Sequence, residues 1–120
     1  MPRSSRISIK TVETQLFRVP LAGALTDAKH GQHSHFELVT VTVTDRAGRR
    51  GVGYTYTGGT GGRAIAALVD HELRRVLVGT DADLIARRWA DMQSALHYVG
   101  RGGLVSFAIS ACDGGLRAVR

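Results

Sequence analysis

Three histidines, His30, His33 and His35, follow the spacing H-x-x-H-x-H. Three neutral imidazoles close together could bind Zn²⁺ or Ni²⁺. A structural site would want a fourth ligand. Asp27 lies nearby in sequence, but nothing fixes its spacing to the histidines. The same stretch could instead present Lys29 or His30 to an anionic ligand. Residues 59–64 read GTGGRA and satisfy G-x-G-x-x-A, a loose dinucleotide fingerprint that would set a pyrophosphate on a helix N-terminus. That fingerprint needs a parallel βαβ unit, whereas the preceding strand here belongs to an antiparallel hairpin and another helix follows. Arg63 stands where a phosphate-binding loop would carry Lys-Ser/Thr. Cys112 lies in an apolar run and reads as a small buried hydrophobe. His71 and His97 fall in helical stretches, where packing or solvation accounts for them. Asp81 and Asp83 fit helix capping better than Mg²⁺. The sequence shows no Ser-His-Asp pattern and no carboxylate cluster suited to Mg²⁺.

The elements that must position these residues divide into strands and then helices. Residues 6–19 mix β-branched and aromatic residues in partial alternation, and Pro20 should end that strand. Residues 21–35 show no period and read as a long loop. Residues 36–44 (FELVTVTVT) are the clearest strand, with Val39, Val41 and Val43 opposite Thr40, Thr42 and Thr44. A turn at 45–48 leads to a third strand at 51–57, with Val52, Tyr54 and Tyr56 on one face. After a glycine-rich break, residues 63–78 space Ile65, Leu68, Val69, Leu73, Val76 and Leu77 as one helix face. A second helix near 83–98 should turn Leu84, Ile85, Trp89, Met92 and Leu96 inward. Residues 104–112 start a third helix, apolar nearly all round and therefore buried, which Asp113-Gly114-Gly115 should stop. Strands segregated from helices predict an α+β fold: a three-stranded antiparallel sheet followed by a helical bundle.

At 120 residues the chain is long enough for one domain. Its single cysteine excludes a disulfide scaffold and a thiolate zinc finger built within the chain. No apolar run approaches the ~18 residues of a membrane span, and the N-terminus lacks a signal-peptide core. These features predict a cytoplasmic protein without a membrane partner. The net charge of +6 invites a nucleic-acid reading. Against it, the arginines fall in scattered pairs (Arg49-Arg50, Arg74-Arg75, Arg87-Arg88) with no basic block and few interleaved aromatics. No nucleic-acid partner is expected. A small basic module for nucleic acid or another anion is the alternative reading.

Taken together, five stretches resemble the N-terminal capping domain of the mandelate racemase/muconate lactonizing branch of the enolase superfamily. They are Ile9-Lys10-Thr11-Val12-Glu13, Thr26-Asp27-Ala28-Lys29 before FELVTVTV at 36–43, GVGYTYT at 51–57, HYVGRGG at 97–103 and AISACD at 108–113. The resemblance runs over residues 6–113, in order and at the right spacing. The second and third stretches look most like acid-sugar dehydratases of the galactarate/talarate type. The resemblance implies a cap that closes over a modified TIM barrel holding Mg²⁺ and the acid/base residues. It implies proton abstraction α to a carboxylate, followed by loss of a β-hydroxyl, with a sugar acid as substrate. Carried residue by residue, Asp27 and Lys29 would lie in a specificity loop. Tyr54, Tyr56 and Thr57 would sit at the hairpin end facing the same pocket, and His30 adjoins the matching run. No catalytic or metal-binding residue is expected within the chain.

The family pattern would continue after AISACD for roughly 250 residues, the length of a barrel. Here the sequence reads GGLRAVR and ends. The resemblance thus implies a capping domain over 1–113, a divergent tail over 114–120, and a truncated or frameshifted reading frame lacking the barrel that would be its partner. Without that barrel, Leu104, Val105, Phe107 and Ile109 should lose cover and promote self-association.

Overall fold

A computed structural model describes residues 7–27, 31–100 and 102–120, with side chains outside 22–27 and 31–34. Within these residues the chain forms a sheet of three antiparallel strands in the order β1 (Ile9–Asp27), β2 (Gly31–Asp45) and β3 (Arg50–Thr57). Helix α1 spans 62–77 as three continuous segments, Gly62–Ala67, Leu68–Leu73 and Arg74–Leu77. Helix α2 is Ile85–Ala95, a 3₁₀ turn follows at His97–Val99, and α3 is Gly103–Val119. The α+β arrangement expected from the sequence is the one observed.

One sheet face is covered by the helices. Val12 of β1 and Val39, Val41 and Val43 of β2 are fully buried there. They meet Ile65, Val69, Leu73 and Leu77 of α1, Met92 of α2, and Ala108, Ile109, Cys112 and Leu116 of α3. The four buried α1 positions recur every fourth residue, a longer period than the 3.6 of an α-helix. The π-helical segment Leu68–Leu73 accommodates that spacing by widening the turn.

The arm departs from expectation. Residues 21–27 and 31–35 do not form an aperiodic loop. Strand β1 runs on to Asp27, and Leu25, Thr26 and Asp27 pair with His33, Gln32 and Gly31 of β2. Pro20 does not end the strand either; it pairs with His35 on a sheet edge, where a missing N–H is tolerated. The register then shifts, with β1 advancing from Pro20 to Leu25 while β2 moves only from His35 to His33. Backbone pairing needs no hydrophobic period. A period arises where one face is buried, and among the described side chains the last fully buried β2 residue toward the arm is Val39.

The third helix also departs. It does not stop at Asp113-Gly114-Gly115 but continues to Val119. The glycines belong to a close-packed seam. Strand β3 offers Gly51 and Gly53 to the helix, and α3 offers Gly114 and Gly115 in return. A side chain at Gly53 would begin 2.9 Å from the Gly114 carbonyl carbon, and nearer still to Ala111 O and Gly115 N. Helix α3 therefore lies almost backbone to backbone on β3, and burial offsets the weak helix propensity of two consecutive glycines.

Helix α2 turns Met92 inward, with Leu96 and the partly buried Ile85, as expected, but not Leu84 or Trp89. Trp89 and Leu84 are exposed, whereas Arg88 and Met92 are buried. Arg88 donates to the Asp81 carbonyl at 3.3 Å and pairs with Asp91 at 3.1 Å, which lets its guanidinium occupy an inward position. Val105 and Ile109 are buried in the chain's own core, while Leu104 and Phe107 stay partly open at 42% and 41% exposure.

The 45–48 turn forms as expected. The buried Asp45 carboxylate accepts from Ala47 N–H (3.0 Å), Arg49 N–H (2.8 Å) and Arg49 Nε (2.7 Å). Gly48 takes φ 88°, a left-handed conformation that disfavours a side chain. The capping role read for Asp81 and Asp83 is not realised: the helix begins after Leu84 with no side-chain cap. Asp81 instead ties the turn before it to the start of β1, accepting from Asp83 N–H at 2.9 Å and Ile7 N–H at 3.2 Å.

Candidate functional site at the hairpin arm and glycine loop

The arm and the end of β3 leave the sheet together, and the glycine loop 58–62 bridges β3 to α1. Alternation along β3 divides the candidates. Tyr54 and Tyr56 project from the open sheet face, at 64% and 61% exposure. Phe36 meets the Tyr56 ring edge-on, with centroids 5.8 Å apart, which steadies Tyr56 while leaving it in water. Thr57 points the other way and is buried against the helix layer. Asp27 closes β1 opposite Gly31, at the far end of the arm. Lys29 and His30 lie outside the described residues. The structure thus brings Tyr54 and Tyr56 together on one face and sets Thr57 on the opposite one.

Two of the three histidines, His33 and His35, do not sit in a loop. His33 and His35 share β2, and the His35 ring lies 3.4 Å from the Arg18 guanidinium. Among the described residues no group of three or more His, Cys, Asp or Glu side chains could hold a metal ion. The described residues therefore do not fit Mg²⁺, and no chemical step is assigned to it here. Cys112 is sealed in the core, where burial first, and the charges of Asp113 and Asp70 next, push its thiol up to about 12. It is protonated at neutral pH and no nucleophile.

Glu37 is the residue that sequence reasoning passed over. It shares the inward parity of Val39, Val41 and Val43, and a carboxylate in that series is itself a signal. Its Oε1 accepts from Gly62 N–H at 2.8 Å and from the Thr57 hydroxyl at 3.4 Å. The Thr57 hydroxyl in turn accepts from Gly59 N–H at 3.3 Å. Glycine 62 permits this approach, since a side chain there would begin 2.8 Å from Glu37 Oε1 and 2.7 Å from Leu16 Cδ1.

Surface recesses elsewhere do not coincide with these residues. One of about 650 Å³ is lined by Gln93, Ser94, His97, Gly102 and Ser106. A more apolar one of about 610 Å³ runs between α1 and the start of α3, past Leu68, His71 and Leu104. No helix among the described residues is long and apolar enough to cross a membrane.

Comparison with known proteins places this geometry. Residues 6–119 match the family model of the mandelate racemase / muconate lactonizing enzyme N-terminal domain. The chain is 50% identical over 105 residues to a 3,6-anhydro-α-L-galactonate cycloisomerase of Streptomyces coelicolor, covering 88% of this chain and 29% of that protein. A Streptomyces coelicolor racemase solved with bound magnesium superposes with a TM-score of 0.88 at 49% identity, over 90% of this chain and 30% of that one. An L-talarate/galactarate dehydratase of Salmonella typhimurium, solved with Mg and L-lyxarohydroxamate, superposes at 0.85 with 26% identity, over 97% and 31%. The chain thus spans about 30% of the length of these relatives. With the sheet, the helix layer and the sequence in agreement, the chain belongs to the mandelate racemase/muconate lactonizing enzyme family of the enolase superfamily and corresponds to its N-terminal domain.

Proposed function

We propose that this chain is the substrate-facing cap of a Mg²⁺-dependent enzyme acting on a sugar acid, a dehydratase or racemase that abstracts the proton α to a carboxylate. The observation that carries the reading is the paired arm, ending at Asp27 and Gly31, beside the glycine loop, in a domain half identical to that of a sugar-acid cycloisomerase. In this reading the cap runs through the last helix to Val119, so residues 114–119 belong to it and are not the divergent tail expected from the sequence. The metal and the acid/base groups belong to a barrel partner. The cap's own residues bind, orient and exclude water. Lys29, in the link between Asp27 and Gly31, supplies a cation to a distal carboxylate or hydroxyl of the substrate. Asp27 accepts from substrate hydroxyls or holds Lys29. Tyr54, Tyr56 and His30 complete the polar contacts, while Thr57, buried on the opposite face, supports the glycine loop from within. A water-poor, preorganised site makes each such contact count for more than in bulk water.

The test grafts the chain in place of the matching N-terminal segment of the Streptomyces coelicolor cycloisomerase. The graft should turn over a sugar acid with Mg²⁺, while the 120-residue chain alone should not. Turnover by the isolated chain, proportional to its concentration across aldarates and aldonates, would contradict the division of labour. A well-folded graft with no activity on any sugar acid would contradict the capping role.

A further inference from the structure

We propose that Glu37 is a positioning residue that locks the glycine loop 58–62 to the β1–β2 arm, so that the two segments move as one piece. A carboxylate on the helix-facing side of β2 costs free energy unless donors satisfy it. Both donors the structure gives it come from around one loop: Gly62 N–H at 2.8 Å and the Thr57 hydroxyl at 3.4 Å. The same hydroxyl holds Gly59 N–H at 3.3 Å, so Glu37 ties the loop at Gly62 directly and at Gly59 through Thr57. Helix α1 starts from Gly61, which offers no capping side chain. Glu37 thus brings negative charge to the start of that helix from across the sheet. A second contact lies two residues along β2. The ring and carbonyl oxygen of His35 are 3.4 Å from where a side chain at Gly59 would begin. Strand β2 therefore touches the loop at 59 and at 62, and beyond His35 the same strand becomes the arm. Loop glycines at 59 and 61 take φ of 112° and 91°, a backbone that needs external ties to hold one shape.

The significance of this lock rests on the capping reading, because it would make substrate contacts from the arm and the loop interdependent. Its test does not involve substrate. Amide hydrogen exchange is measured by NMR on the full chain, with Val41 and Ile109 as core reporters. Glu37→Ala should speed exchange at Gly62 by about ten- to a hundredfold, and at Gly59 as well, with the core reporters unmoved. Glu37→Gln keeps an acceptor oxygen and should restore most of the protection. Thr57→Val should release Gly59 and leave Gly62 protected. Unchanged exchange at Gly62 in Glu37→Ala, no rescue by Gln, or an equal rise at every core amide would each overturn the proposal. Should Glu37→Ala fail to fold, Glu37→Leu, apolar like its inward neighbours on β2, decides: faster exchange at Gly62 with the core reporters unmoved supports the lock, and unchanged exchange at Gly62 refutes it.

Discussion

Gly53→Ala should destabilise the chain more than Gly114→Ala or Gly115→Ala on the helix side of the same β3–α3 seam. Gly53 has an ordinary strand backbone, so the effect isolates close packing from conformational strain. The added Cβ would begin 2.9 Å from the Gly114 carbonyl carbon, with Ala111 O and Gly115 N closer still. These are backbone atoms of α3, and no rotamer change relieves the clash. The helix must lift from the sheet, loosening the packing of Ile109, Cys112 and Leu116 behind it. Overpacking of this kind costs about 1–3 kcal/mol, and the rigidity of the neighbours puts Gly53 at about 2–3. At about 2.1 cal/mol/K per residue, unfolding this chain carries roughly 250 cal/mol/K, so each kcal/mol moves Tm by about 4 °C. The expected fall is about 8–12 °C. Gly115→Ala meets Val43 Cγ2 at 2.9 Å and Val41 O at 3.2 Å, a partly yielding neighbourhood, and should fall less. Gly114→Ala meets only Gly53 Cα, at 3.2 Å, and regains about 0.5–1 kcal/mol of helix propensity. It should melt near the wild type. Thermal melts followed by circular dichroism give the ranking directly. A Gly53→Ala melt within about 2 °C of the wild type would refute the argument that these glycines permit the helix to dock.

Cys112 should resist thiol reagents at pH 8 in the folded chain and react promptly in denaturant, since its thiol is buried and pushed up to about 12; fast native labelling would mean the core opens readily. For Asp45, burial pushes the carboxyl up, but the Arg49 hydrogen bonds and charge and the Ala47 N–H outweigh it, and the net value lies below the ordinary 3.8. Its contribution is therefore present above 3.8 and lost as pH falls through the lower folded value. Melts of wild type and Asp45→Asn should differ near neutrality and converge in acid; a gap independent of pH would point away from the carboxylate. Exposed Phe107, Leu104 and Tyr98 should make the isolated chain bind an apolar dye or self-associate, and Phe107→Ser should reduce both. A dye-silent monomer by light scattering at high concentration would count against that surface.

The fold was legible wherever burial imposes a period. The Val39, Val41, Val43 alternation and the Ile65-to-Leu77 stripe each describe one side of the core; the helix lies close to its expected bounds, and β2 does so at its Asp45 end. The arm was not legible, because paired backbone beyond the buried face leaves no hydrophobic signature, and Pro20 reads as a terminator unless the strand is known to be an edge. Helix α3 was misread at Gly114-Gly115 for a related reason. Glycine propensity is local, whereas its use here depends on Gly51 and Gly53, some 60 residues earlier. Part of the α2 face was misjudged because arginine was not expected inward, and Arg88 is held there by the Asp81 carbonyl and Asp91. Of the candidate site, Tyr54 and Tyr56 were readable as a pair from strand parity. Glu37 was readable in principle as a carboxylate within the inward series of β2, well away from the turn that occupies Asp45, but its partners come from residues 20 or more away in the chain.

The central claim is that the arm reads a sugar acid, and the most direct measurement is kcat/KM of the cycloisomerase graft with and without Lys29→Ala. A charge-assisted hydrogen bond from Lys29 to a carboxylate remote from the reacting end is worth about 1.5–3 kcal/mol. Its loss should lower kcat/KM by roughly 10–150-fold for a diacid, and by less for a monoacid that lacks the distal charge. An unchanged kcat/KM for every sugar acid that the graft turns over would contradict the account.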